Sequence, residues 1–263
     1  YHVKFLLHIS NMKTIILGDT HGRSNWKQAI EAHPDAERVI FMGDYFDSFN
    51  ISGVEQLHNF KQIIEFKEST DKEVVMLIGN HDHHYFDVGE TYSGFKAAMK
   101  WDIQDQLTKN MHHLQIAYRL GEYLFTHAGI SPVWMDNQFG EGGWAKHTMV
   151  DQLNELYKGR QTAFNFDHFG WDPSGDSPTQ GPLWIRPRSL MGSNKGDDGL
   201  KKQFIQVVGH TQVNDIFESF TATEKAMGGR YYLIDAMEDD GYVIIEDGKI
   251  TPMQLETVNT EEK

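Results

Sequence analysis

Short apolar runs that end in polar residues recur along the chain. They are KTIILGD (13–19), RVIFMGD (38–44), EVVMLIGN (73–80), EYLFTHAG (122–129) and FIQVVGH (204–210). Each run is rich in β-branched or aromatic residues and has the length of a strand, so each predicts a buried strand. Because ligands of open α/β sheets bind beyond the carboxyl ends of the strands, the polar residues after these runs are candidates for chemistry.

Helices and further strands are predicted between and after these runs. Apolar residues at helical spacing predict helices at 24–33, 54–68, about 94–109 and about 144–157. After residue 199, DIFESF, RYYLIDA, GYVIIEDG and KITPMQLETV predict consecutive short strands that form a β-meander. Two packed sheets with flanking helices accommodate both halves. An irregular segment at about 158–198 is too long for an ordinary connection and predicts a functional loop or lid.

Composition narrows the classes of protein that remain. The chain has 263 residues and a net charge of -14, with no Lys/Arg-rich block, which argues against general nucleic-acid binding. No apolar run approaches the roughly 18 residues of a membrane span. There are no cysteines, so a metal would be held by His, carboxylate, amide or water, and we expect a cytoplasmic protein. We expect one domain at 12–255, with 1–11 as an N-terminal extension.

The polar residues at the five strand ends are of the types that bind divalent ions. A single His after a strand is more often a hydrogen-bonding or surface residue, but here the same setting recurs five times. Strand ends of this kind converge in space, and carboxylate, amide and imidazole groups can meet there. The candidates are Asp19, His21, Asp44, Asn80, His127 and His210. Two Asp, one Asn and three His suit a pair of ions bridged by one Asp.

Five motifs resemble, in the same order, those of the calcineurin-like metallophosphoesterases. They are GDTHG (18–22), GDYFD (43–47), GNHD (79–82), THAG (126–129) and GHT (209–211), and the resemblance covers about 13–247. It implies an α/β (α+β) fold, a four-layer αββα double β-sandwich with an irregular cap or lid. It also implies two divalent metal ions, with manganese expected first and iron, zinc, nickel or cobalt as alternatives.

The resemblance also assigns roles to single residues. Asp44 would bridge the two ions, with Asp19 and His21 on the first and Asn80, His127 and His210 on the second. His81 would lie near the leaving-group oxygen as a general acid or electrostatic helper, and Asp47 would orient it. A carboxylate that accepts a hydrogen bond from one imidazole nitrogen fixes the tautomer and supports the proton on the other.

The neighbours of His81 have weaker support from the motifs. Asp82 stands where the relatives usually have Glu, and we expect it to support the loop. His83 and His84 are expected at the cleft rim or on the surface, with possible contact to substrate.

The last motif favours one branch of the family. Many phosphodiesterase-like members read G-H-x-H there, whereas this chain has Gln212 in the final place. That is closer to the serine/threonine protein phosphatases and the symmetrical diadenosine tetraphosphate hydrolases. Those relatives usually continue with a phosphate-binding Arg after the second motif, and here Ser48 and Phe49 follow instead.

A phosphate-binding arginine must therefore come from elsewhere in the chain. The planar guanidinium matches phosphate oxygens in a bidentate fashion. LWIRPR (183–188) offers Arg186, which we favour, and Arg188; Arg23 directly follows the first motif. Surface ion pairs are the commoner role for each.

The sequence thus predicts a metal-dependent phosphoester hydrolase with metal-bound hydroxide as nucleophile. The leading prediction is a phosphomonoesterase of the serine/threonine protein phosphatase type. The alternatives are a dinucleoside polyphosphate hydrolase or phosphodiesterase, and a metal-binding module that has lost catalysis. The expected partner is a phosphoprotein, a nucleotide or a small phosphoester; the oligomeric state stays open.

Overall fold

A computed structural model describes residues 12–170, 172–193, 200 and 203–256. The N-terminal extension at 1–11 and part of the predicted lid, 194–198, lie outside the described residues. The ten strands of the described part are β1 (Thr14–Leu17), β2 (Arg38–Phe41), β3 (Glu73–Leu77), β4 (Leu114–Gln115), β5 (Ala117–Leu120), β6 (Tyr123–Thr126), β7 (Ile205–Gln212), β8 (Tyr231–Asp235), β9 (Gly241–Glu246) and β10 (Lys249–Gln254).

Eight α-helices lie in the same described part of the chain. They are α1 (Trp26–Glu31), α2 (Gly53–Ser69), α3 (Asn80–His83), α4 (Lys100–Lys109), α5 (Pro132–Phe139), α6 (Met149–Gly159), α7 (Pro187–Ser193) and α8 (Ile216–Met227). Ser52 begins α2 with a capping box, because its side chain accepts from the Glu55 N–H while the Glu55 carboxylate accepts from the Ser52 N–H. None of these helices is long and apolar enough to cross a membrane.

The strands form two mixed sheets. The first has the order β10-β9-β1-β2-β3-β4, in which β1 to β4 are parallel and β9 and β10 form an antiparallel hairpin. The second has the order β5-β6-β7-β8, with β6, β7 and β8 parallel. All five strands predicted from the apolar runs are confirmed. The parallel strands bring their carboxyl ends to one edge of each sheet.

Successive side chains of a strand point to opposite faces of its sheet, so each strand contributes to a core on either side. In β1, Ile16 joins a core shared by both sheets, whereas Ile15 and Leu17 pack with Trp26 of α1 and Phe60 of α2. Each strand therefore buries both faces, which explains its continuous apolar sequence. On the second sheet, residues of β6 pack with α5 and α6, so helices cover both outer faces. This four-layer arrangement confirms the expected fold class.

The predicted C-terminal meander is wrong in two respects. DIFESF is not a strand but the start of α8, where the Asp215 carboxylate accepts from the backbone N–H groups of Phe217 and Glu218. Ile216 and Phe220, four residues apart, bury one helical face, and so short a run does not distinguish helix from strand. In addition, β8 belongs to the second sheet while β9 and β10 belong to the first.

Two glycine loops meet at the carboxyl edge of the first sheet. Gly43 has a φ of +99°, and a Cβ atom there would lie 2.4 Å from the backbone nitrogen of Gly79. A Cβ atom on Gly79 would in turn lie 2.1 Å from Asp44 Oδ1. Only glycine permits this close approach, which brings the loops after β2 and β3 together.

Gly43→Ala should therefore destabilise the protein far more than Gly121→Ala. Gly121 also has a positive φ, +60°, but no atom lies within 4 Å of its Cβ position. We expect a loss of about 1 kcal/mol for Gly121→Ala from backbone strain alone, and about 3 kcal/mol for Gly43→Ala. Urea unfolding measures the free energy of unfolding of both variants. Equal losses would contradict the close approach of the loops that carry Gly43 and Gly79.

Candidate active site

Six side chains at the strand ends converge on one point between the two sheets. Ligand atoms of Asp19, His21 and Asp44 lie within 4.8 Å of one another, and so do those of Asp44, His127 and His210. Asp44 belongs to both groups. Asn80 completes the second group, since its Oδ1 lies 2.9 Å from His127 Nε2 and 2.8 Å from His210 Nδ1. The structure thus brings all six predicted ligands together.

Backbone carbonyl groups set the orientation of the three histidines. In each ring one nitrogen lies against a carbonyl oxygen, namely His21 Nδ1 and Phe46 at 2.5 Å, His127 Nδ1 and Met42 at 2.9 Å, and His210 Nε2 and Trp184 at 3.1 Å. A nitrogen beside a carbonyl must carry the proton and donate. In the neutral ring the other nitrogen then presents its lone pair to the centre, which is the arrangement of a metal-bound histidine.

The inward-facing atoms are nearly all acceptors. In neutral rings the lone-pair nitrogens of His127 and His210 face the Asn80 oxygen. His127 Nε2 also lies 3.4 Å from Asp44 Oδ2, and Asp44 outweighs the effect of burial and raises the pKa of His127. Acceptors that face one another repel unless a cation lies between them. This donor set of imidazole, carboxylate and amide oxygen therefore fits divalent metal ions.

A further carboxylate, Asp235, joins the site from the end of β8. Its side chain is buried in hydrogen-bonding contact with Asp19, and burial followed by the charge of Asp44 raises the pKa of Asp235 to about 7. Burial also raises the pKa of Asp19, and Asp235 and Asp44 add to the shift. Sequence reasoning missed Asp235; its position after the apolar run RYYLI was the available signal. Because Asp19 and Asp235 are two carboxyl groups in contact, they need a shared proton or a cation between them.

Asp82 joins the loops that carry the ligands. Its buried carboxylate accepts from the backbone N–H groups of Asp44, Tyr45 and Gly79, each at 2.8 Å. The His81 N–H donates to Asp44 Oδ1 at 2.8 Å, which fixes the bridging candidate from the same loop. These bonds hold Asp44 and Asn80 in place before any ion binds.

Asp47 and His81 form a pair beside the ligand groups. His81 Nδ1 lies 3.0 Å from Asp47 Oδ2, and the ring centres of His81 and His21 are 5.3 Å apart. Burial alone would lower the pKa of His81, but Asp44 and Asp47 outweigh it and raise the pKa to about 9. In the absence of divalent ions this shift favours the protonated form of His81 at neutral pH, and ions beside Asp44 would oppose it.

The three candidate arginines occupy different settings. Arg186 is half-buried, and its Nη1 donates to the His210 carbonyl at 3.1 Å and to Thr211 Oγ1 at 3.2 Å. Burial lowers the pKa of Arg186, while Asp19 and Asp44 oppose that shift across the site. Arg23 Nη2 lies 2.8 Å from Glu238 Oε1, and Arg188 is exposed.

A small cavity opens onto the Asp47–His81 pair. It measures about 150 Å³ and is lined by residues that include His21, Arg23, Asp47, Phe49, His81 and Asp235. A larger and more open groove of about 630 Å³ adjoins it, with Arg23, Asn50 and Glu238 common to both walls.

The expectation that His83 and His84 lie at the rim or surface is wrong. Both side chains are buried. His83 lies 2.9 Å from both the Tyr157 hydroxyl and Asn165 Oδ1, so two polar partners compensate its burial. His84 Nε2 lies 2.7 Å from Asp47 Oδ2. Their sequence neighbourhood is polar, and only the tertiary structure shows that both turn inward.

Several site residues have left-handed backbone conformations. The φ angles are 45° for His21, 51° for Asp44, 70° for Asp47 and 62° for His210. Non-glycine residues adopt such angles rarely, and they concentrate at functional sites where the surrounding structure enforces them.

Comparisons with known proteins agree with this fold and donor set. The fold and the ligand groups define a metal-dependent phosphoester hydrolase. A family model described as calcineurin-like phosphoesterase matches residues 12–214, and the chain belongs to that family. Two groups of candidate ligands that share Asp44 agree with the dinuclear metal centre on which the family depends.

Two solved structures are similar to this chain at low identity, and the first of them supports the fold. A serine/threonine protein phosphatase from Saccharomyces cerevisiae, described as similar to human phosphatase PP5, matches with a TM-score of 0.54 and 15% identity, over 98% of this chain and 91% of that chain. A metallophosphoesterase from Sphaerobacter thermophilus matches with a TM-score of 0.41 and 12% identity, over 93% and 89%. A search of curated proteins found no significant match.

Metal binding should strengthen as pH rises from 6 to 8. The raised pKa of Asp19, and that of about 7 for Asp235, mean that the metal-free site holds protons at pH 6 which an ion must displace. We expect added Mn²⁺ to raise the melting temperature more at pH 8 than at pH 6, measured by calorimetry. Asp235→Asn should reduce that difference. Equal shifts at both pH values would contradict this account.

Proposed function

We propose that this chain is a phosphomonoesterase of the serine/threonine protein phosphatase type. One observation carries the proposal: two ligand groups share Asp44, and His21 of the first group lines a cavity of only about 150 Å³ together with the Asp47–His81 pair. Pockets that enclose a drug-sized ligand measure roughly 300–1,000 Å³. The cavity therefore suits a phosphoryl group and its nearest atoms, while the rest of the substrate lies outside.

The charge of the adjoining groove supports a peptide rather than a polyphosphate there. Its walls carry three carboxylates and two permanent cations, with several amide side chains between them. The carboxylates are Glu55, Glu238 and Asp240, and the cations are Arg23 and Lys27. A polyphosphate chain would meet repulsion in this groove, whereas a polypeptide finds both donors and acceptors.

In the proposed reaction each part of the site has one task. Asp19, His21 and Asp44 would hold one ion, and Asp44, Asn80, His127 and His210 the other. Such ions supply Lewis-acid polarisation of the phosphoryl oxygens and activation of water. Arg186 would orient the phosphate from one side and Arg23 from the other, with Arg188 the weakest of the three candidates because it is exposed.

His81 would give its Nε2 proton to the leaving oxygen. Its Nδ1 nitrogen lies 3.0 Å from Asp47, which would keep the Nε2 nitrogen turned to the cavity and stabilise the charged ring. Departure of an alkoxide from serine or threonine needs this proton more than departure of a phosphate group does. The pair therefore supports a monoester substrate.

The domain boundaries, the lid, the preferred metal and the cellular location belong to the same proposal. We propose a single domain at 12–255 with a lid at about 158–198, since both sheets share one core. Manganese as the preferred metal and a cytoplasmic location stay predictions from sequence.

A substrate panel tests the reaction type. We expect the manganese-loaded protein to hydrolyse a phosphoserine peptide and 4-nitrophenyl phosphate well above bis(4-nitrophenyl) phosphate and diadenosine tetraphosphate. Release of phosphate or nitrophenol measures each. Preference for the dinucleotide would identify the pyrophosphohydrolase alternative, and preference for the diester a phosphodiesterase. No turnover of any compound would favour the inactive metal-binding module.

Asp44→Asn tests the bridging role. The variant removes one negative charge but keeps the shape and tolerates the positive φ, so we expect lower metal content and a fall in kcat/KM of about 100-fold or more. Asp105→Asn, at an exposed position on α4, is the matched control and should change neither. Elemental analysis and phosphatase assays give both quantities. Full metal content at the normal rate would disprove the bridge.

A further inference from the structure

We infer that His84 and Tyr85 are positioning residues that fix Asp47, and through it the catalytic ring of His81, under the control of the segment 92–96. This inference rests on the role of His81 in the proposed function. Neither His84 nor Tyr85 belongs to the motifs that identify the site.

The carboxylate of Asp47 is surrounded by donors. It is 1% exposed, and its Oδ1 accepts from the Tyr85 hydroxyl at 2.6 Å. Its Oδ2 lies 2.7 Å from His84 Nε2 and 3.0 Å from His81 Nδ1. Both oxygens are therefore engaged, and the carboxylate cannot rotate towards the metal ligands without losing contacts that are costly to break in a buried site.

Two backbone N–H groups of the segment 92–96 determine where the donor protons point. The Tyr92 N–H donates to His84 Nδ1 at 3.1 Å, which leaves the ring proton on Nε2, the nitrogen that lies 2.7 Å from Asp47 Oδ2. The Lys96 N–H donates to the Tyr85 hydroxyl oxygen at 2.9 Å, so the hydroxyl hydrogen is free to point to Asp47. Each side-chain donor thus has its proton set by one main-chain group.

The same segment also packs directly on Asp47. Gly94 has a φ of +84°, and a Cβ atom there would lie 2.8 Å from the Asp47 carbonyl oxygen and 2.9 Å from its Cβ. Lys96 Nζ donates to the Ser48 carbonyl at 2.7 Å. Asp47 has a φ of 70°, an unfavourable angle that surrounding contacts must maintain, and this segment supplies them.

The packing of His84 shows that it is held as tightly as the carboxylate it faces. Its ring stacks on Tyr92 with centres 5.7 Å apart and planes 10° apart, and meets the ring edges of Tyr85 and Phe95 at 4.6 Å and 4.9 Å. A histidine confined in this way does not move to substrate. It serves to hold Asp47.

The test compares two substrates that differ in how much they need a proton on the leaving oxygen. Phenyl phosphate has a poor leaving group, whereas 4-nitrophenyl phosphate has a good one. If His84 and Tyr85 act through His81, Tyr85→Phe and His84→Leu should lower kcat for phenyl phosphate by about 10-fold or more. They should lower kcat for 4-nitrophenyl phosphate much less and leave metal content unchanged. His84→Gln, which keeps an N–H donor, should recover most of the loss.

Two further variants make the comparison decisive. His83→Gln alters a buried histidine bonded to Tyr157 and Asn165 rather than to Asp47, so it should not discriminate between the two substrates. Tyr85→Phe removes a single oxygen atom and preserves the aromatic packing, so it supplies the answer if His84→Leu fails to fold.

His81→Ala separates failure of this inference from failure of the proposed function. If His81→Ala affects phenyl phosphate selectively while the His84 and Tyr85 variants do not, the positioning role is wrong and the role of His81 stands. If His81→Ala lowers kcat equally for both substrates, the proposed role of His81 is wrong, and this inference is then wrong as well. Loss of metal in the His84 or Tyr85 variants, in proportion to the loss of rate, would also overturn the inference.

Discussion

The active-site edge depends on one buried carboxylate and the three backbone N–H groups that it accepts. Asp82 receives hydrogen bonds from Asp44, Tyr45 and Gly79, and so ties the loop after β2 to the loop after β3. A buried carboxyl group is tolerated only with hydrogen-bond partners of this kind, so the loops and the carboxyl group stabilise one another. Gly43 and Gly79 permit the approach, because any side chain at either position would enter the other loop.

The second constraint concerns the candidate ligands. The protonated nitrogens of the histidines point away from the centre of the site, and acceptor atoms point into it. Carbonyl groups of Met42, Phe46 and Trp184 take the outer protons of three histidines, and the inner atoms face carboxylate and amide oxygens. The protein therefore holds an arrangement that is unfavourable by itself and is completed by cations. The apolar cluster between the two sheets stabilises the strands that hold this arrangement. A rigid, preorganised centre of this kind limits the rearrangement required when a substrate binds.

Sequence predicted the strands and the convergence of the candidate ligands well, because both depend on local signals. Apolar runs of strand length ended in Asp19, Asp44, Asn80, His127 and His210, and the family motifs fixed which of these could share ions. Asp235 and His84 escaped prediction since their importance comes from contacts with residues far along the chain. The interaction of Asp235 with Asp19 spans most of the sequence, and His84 looked like part of a polar surface loop. The left-handed angles of the site residues have no signature in sequence either. For α8 the short apolar run fits either a helix or a strand. In the structure the Asp215 side chain caps the N-terminus of a helix there.

The hydrogen bond between the His210 N–H and the Asp19 carboxylate joins residues 191 positions apart, at 3.0 Å. During synthesis Asp19, Asp44 and Asn80 leave the ribosome early, whereas β7, which lies between β6 and β8, follows only after most of the chain. A nascent chain that has not reached β7 therefore has five of the six candidate ligands but lacks His210 and the strand that joins β6 to β8. The group of Asp44, His127 and His210 is therefore complete only after β7 has been added to the second sheet. The full set of six candidate ligands thus exists only once synthesis and folding have both passed residue 210.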